Sequence, residues 1–269
     1  MGIGVIGSRQ RRRAGVRGKG WRKAVIAALG TIALLAAIGV GALYYIGYFS
    51  DRVYVDLPAA PGKFSHSHLG AVMFSGDLGF SVGMGPKIGH RLADSGIPVR
   101  AVNSLAYFRH ERSPAETEAL LHDTMQQMLA EPGIDRLVLV GQSFGADMMQ
   151  EAVAHMSASD RAHVVMLALI VPTRDVYHQA MPSGAYRLSR PDALAITTAG
   201  TIDWLPVMCV YGTLEPDSLC PQLTAPNVTK LGIHAGHYLQ SYADEVSARI
   251  EKALAVAIGH EATGGTKAQ

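Results

Sequence analysis

The chain has 269 residues, of which 48% are hydrophobic and 17% are charged, and its formal net charge is +2 at pH 7. Residues 1–23 carry eight cationic side chains and no acidic one, so they contribute +8 and the remaining residues carry −6. A mildly acidic body lacks the basic surface that nucleic-acid binding requires, so we expect no nucleic-acid partner.

An uncharged, mostly apolar run at residues 24–49 follows this basic leader. About 20 such residues are enough for a helix to span a bilayer, so the run predicts a transmembrane anchor. The basic leader at 1–23 is then expected to stay in the cytoplasm, and everything after the anchor to be exported. The alternative is a signal peptide that is cleaved after Ala42.

Residues 50–68 are predicted to form a juxtamembrane stem, with an edge strand near 52–56. Beyond the stem, apolar runs predict strands at 69–75, 98–103, 136–141, 163–170, 207–211 and 228–233, and helices near 84–95, 114–130, 143–156 and 240–258. Strands joined by helical crossovers predict an α/β fold, with a mostly parallel sheet that has helices on both faces.

This pattern predicts one domain at 69–258, followed by a disordered tail at 259–269. Residues 171–206 interrupt the alternation of strands and helices. They are expected either to form a lid that shapes a substrate entrance or to be a long surface excursion.

The segment Gly141-Gln142-Ser143-Phe144-Gly145 follows a strand-like run and precedes a helix-like one. A serine between two such glycines at a strand–turn–helix junction is typical of the nucleophile elbow of α/β-hydrolases. We therefore predict that Ser143 is a nucleophile and that the amide of Phe144 helps to bind an oxyanion. The second amide is expected from Asp77, in the glycine-rich loop after the strand at 69–75.

A serine nucleophile requires a histidine base and an acid that orients it, and in this fold the acid precedes the histidine in the chain. His237 follows the last predicted strand and is the candidate base. Asp217, in the loop after the strand at 207–211, is the preferred acid, and Glu215 is the alternative. Such a site requires no metal and no organic cofactor.

Asp147 lies one turn into the helix that follows the elbow, where a carboxylate is favoured by the helix dipole. A sharper hypothesis is that Asp147 or Glu215 contacts an ammonium group of the substrate. Cys209 and Cys220 flank the loop that holds both candidate acids. Export favours a disulfide between these two cysteines, and the alternative is a pair of free thiols.

Several segments resemble the VirJ/AcvB bacterial virulence-protein family. The most specific are Ser-Phe-Gly-Ala-Asp at 143–147 and Asp-Ser-Leu-Cys-Pro at 217–221, and Ser-Gly-Asp-Leu-Gly-Phe at 75–80 also matches. The resemblance extends over about residues 69–257 and implies a periplasmic protein with an α/β-hydrolase-like fold. It also places the family's serine, acid and histidine at Ser143, Asp217 and His237.

The resemblance further implies an enzyme that removes the lysyl or alanyl group from aminoacyl-phosphatidylglycerol, a membrane lipid. With the predicted anchor, this gives a single-pass inner-membrane protein whose catalytic domain lies in the periplasm. Two alternatives stay open: a non-catalytic binding or export-assembly factor on a hydrolase fold, and a general carboxylesterase or thioesterase.

Overall fold

The computed structural model describes residues 14–182, 184 and 188–264, and it divides the chain into two compact units between Tyr45 and Ile46. The described residues of the first unit form a single helix, α1 (Ala14–Tyr45). Within α1, the stretch Gly20–Tyr45 has 26 residues, a mean hydropathy of 2.3 and exposed side chains. It is long and apolar enough to cross a membrane, a property that it shares with signal sequences. The helix ends four residues before the predicted end of the apolar run, because residues 46–49 form a turn.

The second unit contains a seven-stranded sheet with the order β1-β3-β2-β4-β5-β8-β9. Its strands are β1 (Tyr54–Leu57), β2 (Leu69–Phe74), β3 (Val99–Val102), β4 (Arg136–Gln142), β5 (Val164–Ile170), β8 (Val207–Gly212) and β9 (Val228–Ile233). All neighbouring strands are parallel except β1, which pairs antiparallel with β3. The expected mostly parallel sheet is therefore confirmed.

Helices cover both faces of this sheet, as predicted. On one face lie α2 (Met84–Asp94) and α8 (Ala243–Gly264), and on the other lie α4 (Pro114–Leu129) and α5 (Phe144–Ala154). Side chains of a strand alternate between faces, so Leu137 and Leu139 join the core beneath α4 and α5, whereas Val138 and Val140 join the other core. The described residues also include three short α-helices, α3 (Ser104–Phe108), α6 (Ala158–Arg161) and α7 (Ile196–Ala199), and 3-10 turns at Cys220–Gln222 and Gln240–Tyr242.

Three segments differ from their sequence-based interpretation. The predicted stem is part of the second unit, because β1 extends the sheet and Phe64 is buried. Helix α8 continues to Gly264, and only 265–269 of the predicted tail lie outside the described residues. The segment 171–206 contains a small antiparallel ribbon of β6 (Asp175–Val176) and β7 (Ala193–Leu194) as well as α7.

Candidate active site

Ser143 lies in the sharp turn between β4 and α5, with φ 54° and ψ −126°. A positive φ is rare outside glycine, and it lifts this side chain above the carboxyl end of the sheet. A Cβ atom on Gly145 would lie 2.3 Å from the carbonyl oxygens of both Phe74 and Ser75, and one on Gly141 would lie 2.5 Å from Cα of Ala146. The two glycines therefore let β2, β4 and α5 approach closely enough to hold Ser143 in this conformation.

The structure brings His237 to Ser143 across 94 positions of sequence. The Oγ atom of Ser143 lies 2.7 Å from Nε2 of His237, which belongs to the loop after β9. That loop packs on the end of β8, where a Cβ atom on Gly212 would lie 2.3 Å from the carbonyl oxygen of Gly236. A glycine at 212 thus permits the close approach that positions the imidazole.

The carboxylate beside His237 is that of Glu215. Its Oε1 atom lies 2.5 Å from Nδ1 of His237, and its side chain is only 3% exposed. The preference for Asp217 as this partner was wrong, and the alternative acid occupies the position.

Backbone contacts explain why Glu215 takes this place. The amide of Glu215 donates to the carbonyl of Gly212, and the amide of Leu214 donates to Ala235 in the histidine loop. The chain therefore turns tightly after β8 and holds Glu215 beside His237. Two residues later the carbonyl of Asp217 accepts from the amide of Arg174, and Ser218 forms a β-bridge with Thr173, so Asp217 is drawn toward a different segment.

A disulfide joins Cys209 of β8 to Cys220 and closes the loop that carries Glu215. The predicted pairing of these cysteines is confirmed. Both cysteines are fully buried, and the Oε2 atom of Glu215 is also buried, with no hydrogen-bond partner among the described residues. The loop thus holds the carboxylate of Glu215, which is hydrogen-bonded to the imidazole of His237 through Oε1.

The structure gives Asp147 and Glu215, the two candidates for contact with a substrate ammonium, partners within the chain. Asp147 is buried, and its two carboxylate oxygens accept hydrogen bonds from the amide and the hydroxyl of Thr173, at 2.7 and 2.8 Å. Glu215 is bound to His237. Neither residue is among the described residues that line the cavity above Ser143.

This cavity has a volume of about 340 Å³ and opens over the nucleophile turn. Asp77, whose amide is a candidate oxyanion donor, lines this cavity, whereas Phe144 is buried as the first residue of α5. The first amides of a helix have no intrahelical acceptor, so the amide of Phe144 is suited to bind an anion. Pro182 and Gly184 also line the cavity, so the segment 171–206 contributes to its wall.

Among the lining residues that the sequence reasoning missed, two flank the predicted nucleophile and base. Gln142 precedes Ser143 in the turn, and Tyr238 follows His237 with 74% of its surface exposed. Each is adjacent in sequence to Ser143 or His237, and this adjacency was the signal that could have identified them. Within the part of the chain that the structure describes, no three His, Cys, Asp or Glu side chains group so as to hold a metal ion.

A hydroxyl bonded to an imidazole, which is bonded in turn to a buried carboxylate, can activate the serine oxygen as a nucleophile. Comparison with known proteins places this chain in a family. Residues 68–257 match the model of the bacterial virulence protein (VirJ) family. The chain belongs to the VirJ family. No curated protein sequence matches this VirJ-family chain significantly.

Solved structures similar to this VirJ-family protein are α/β-hydrolases. The proline iminopeptidase of Mycobacterium smegmatis is 12% identical, with a TM-score of 0.54 over 77% of this chain and 95% of that one. The α/β hydrolase GrgF from Penicillium sp. sh18 is 12% identical, with a TM-score of 0.57 over 76% and 93%. Est1E from Butyrivibrio proteoclasticus is 12% identical, with a TM-score of 0.51 over 71% and 88%. At this identity the likeness establishes the α/β-hydrolase fold.

Proposed function

We propose that this protein is a serine hydrolase that cleaves a carboxylic ester, with Ser143 as nucleophile, His237 as base and Glu215 as the orienting acid. One observation carries the proposal: the continuous contact from Ser143 Oγ to His237 Nε2 at 2.7 Å and from His237 Nδ1 to Glu215 Oε1 at 2.5 Å. The carboxylate fixes the tautomer of the imidazole and stabilises its positive charge when it accepts a proton.

In the first half of the reaction, Ser143 attacks the ester carbonyl while His237 takes the hydroxyl proton. The carbonyl oxygen becomes an oxyanion, for which the amides of Phe144 and Asp77 are the proposed donors. His237 then gives its proton to the leaving alcohol, and the acyl group stays on Ser143.

In the second half, His237 deprotonates a water molecule that attacks the acyl-serine. The carbon–oxygen bond to Ser143 breaks, His237 returns the proton to its hydroxyl, and the acid product leaves. Apart from the ester and the water molecule, these steps use only groups that belong to the chain, and the acid and base roles alternate on one imidazole.

The proposed substrate is the aminoacyl ester of aminoacyl-phosphatidylglycerol, with a lysyl or alanyl group. The resemblance to the VirJ/AcvB family implies this lipid, and α1 is apolar enough to hold the chain at a membrane where such a lipid resides. Asp77 is the one acidic residue among the described residues lining the cavity, and no lysine or arginine is among them. That lining is compatible with the ammonium group of an aminoacyl ester.

The proposed location is the inner membrane, with α1 as a single-pass anchor and the second unit in the periplasm. The disulfide is compatible with an oxidising compartment, and α1 with either an anchor or a signal sequence. Intact mass measurement of the membrane-fraction protein tests the anchor. A mature chain in the soluble periplasmic fraction that begins at Leu43 would instead indicate cleavage after Ala42.

The activity is tested with the purified full chain in detergent micelles that contain lysyl- or alanyl-phosphatidylglycerol. Mass spectrometry should show conversion to phosphatidylglycerol by the wild type and none by Ser143→Ala. Cleavage of a soluble p-nitrophenyl ester without cleavage of either lipid would indicate a general carboxylesterase. A folded protein that cleaves none of these esters would support the non-catalytic binding factor.

A further inference from the structure

A second cavity of about 460 Å³ lies at the opposite end of the sheet from Ser143. We call it the α8 groove, because it runs between the first residues of β8 and β9 and the exposed face of α8. Its apolar wall includes Met208, Leu231 and Val256. Val256 is 52% exposed, so a large apolar side chain faces solvent there. In a parallel sheet the first residues of all strands lie at one edge and the last residues at the opposite edge. The groove lies at the edge where the strands begin, whereas Ser143 lies where they end, so the groove is separate from the cavity over Ser143.

The polar part of the α8 groove is cationic. Lys230, Arg249 and Lys252 line it, and no Asp or Glu is among its described lining residues. Arg249 and Lys252 are exposed and three positions apart on α8, so they lie on the same helix face. None of the three cations forms an ion pair with a carboxylate in the described ranges 14–182, 184 and 188–264.

This concentration of positive charge contrasts with the rest of the body, since the residues after position 23 carry a net charge of −6. Like charges one turn apart on a helix repel one another, and an anion between them removes that cost. The volume of the groove falls in the range of small-molecule sites, which are mostly apolar with a few placed polar groups. An acyl chain joined to an anionic headgroup has the complementary chemistry.

We propose that the α8 groove binds one acyl chain of an anionic phospholipid, with the headgroup phosphate between Arg249 and Lys252. A phospholipid is the chosen source because α1 is long and apolar enough to tether the chain to a bilayer, which raises the local concentration of lipid. The proposal is independent of ester hydrolysis, because the groove shares no lining residue with the cavity over Ser143.

The test uses the full chain in detergent micelles with phosphatidylglycerol that bears a photoreactive diazirine on one acyl chain. After irradiation, mass spectrometry should locate the label on peptides that contain residues 229–231 and 249–257. Phosphatidylcholine with the same labelled chain is the control with no net headgroup charge and should label these peptides about 30-fold less, because each of the two cations contributes about 1 kcal/mol near an anionic lipid.

Arg249→Gln with Lys252→Gln removes both cations and should lower this labelling about 30-fold. Arg52→Gln with Lys63→Gln makes the same change in net charge away from the groove and should leave the labelling intact. Ala253→Leu narrows the groove without changing charge and should also reduce the label. Thermal melting of each variant verifies that it folds.

Four outcomes would overturn the proposal. Equal labelling by the two phospholipids would show that the cations do not select an anionic headgroup. Labelling that survives both Arg249→Gln with Lys252→Gln and Ala253→Leu would show that the lipid does not bind in the groove. A diazirine fatty acid that labels the groove when phosphatidylglycerol does not would show that the ligand is a free acid. Absence of label together with chemical cross-links between two α8 helices would show that a second copy occupies the groove.

Discussion

Glu215 and His237 form the contact that defines the candidate site, with 2.5 Å between Oε1 and Nδ1. The tight turn after β8 holds the two residues together, because the amide of Thr213 donates to Ile233 at the end of β9 and that of Leu214 donates to Ala235 in the histidine loop. The acid is therefore placed by backbone geometry, and a carboxylate two residues further along the chain does not reach the imidazole.

Glu215→Gln should retain the fold and lower kcat for ester hydrolysis about 10⁴-fold, because an amide at this position favours the wrong imidazole tautomer. Asp217→Asn is the matched control, and its kcat should stay close to that of the wild type. Steady-state kinetics of both variants on one ester provides the comparison. An equal loss in the two variants, or a loss only in Asp217→Asn, would refute the assignment of the acid.

Replacing both Cys209 and Cys220 with Ala should lower the free energy of unfolding by about 3 kcal/mol, because the disulfide restricts the unfolded chain. For a protein of this size the corresponding drop in Tm is about 6–12 °C. Because the same bond closes the loop that carries Glu215, activity should fall below that of the wild type at temperatures where the variant is still folded. An unchanged urea midpoint and unchanged activity would show that the bond contributes to neither.

Asp147→Asn should destabilise the protein by about 1.5–3 kcal/mol, because the buried carboxylate accepts two hydrogen bonds from Thr173. Urea unfolding of Asp147→Asn, Thr173→Val and the double variant gives the coupling energy between the two residues. A fully stable Asp147→Asn protein with a raised KM for a lysyl ester alone would revive the ammonium contact and contradict the structural role.

His178 stabilises the fold in a pH-dependent way. Its side chain is 11% exposed, and Nε2 lies 2.9 Å from Oε2 of Glu151 on α5. The hydrogen bond with Glu151 raises the pKa of His178 above its ordinary value, and burial only partly opposes this. A raised pKa in the folded state means that the stabilisation is complete below the unfolded-state pKa of about 6.5 and disappears as the pH rises through the folded-state pKa.

The difference in unfolding free energy between wild type and His178→Gln should therefore be larger at about pH 6 than at about pH 9. Urea denaturation at the two pH values measures it. His163→Gln is the control, because His163 is half-buried just before β5 and its imidazole contacts the carbonyl of Asp135 and no carboxylate among the described residues. A His178→Gln difference that is constant or grows toward pH 9 would show that the imidazolium form is not the stabilising one.

The sequence predicted those features that depend on local sterics and continuous apolar runs. Strand β2 was expected at 69–75 and occupies Leu69–Phe74, because a strand buried on both faces is apolar throughout. The nucleophile turn was recognisable because Gly145 is required wherever a helix passes this close to a neighbouring strand. The cysteine pairing followed from their positions on either side of one loop.

Other features depend on contacts between distant segments. The choice between Glu215 and Asp217 was decided by the bridge from Ser218 to Thr173, 45 residues earlier in the chain. The ribbon of β6 and β7 has only two residues in each strand, too few to show a hydrophobic period. The engagement of Asp147 by Thr173 likewise joins residues 26 positions apart, so the local helix position could not reveal it.

Labelling with a fluorophosphonate probe tests the central claim most directly, because only an activated serine reacts with it and no substrate need be known. The account predicts one labelled peptide in the folded wild-type chain, modified at Ser143, with labelling abolished in Ser143→Ala and strongly slowed in Glu215→Gln. A folded wild-type protein that takes up no probe, or one modified at another serine, would contradict it.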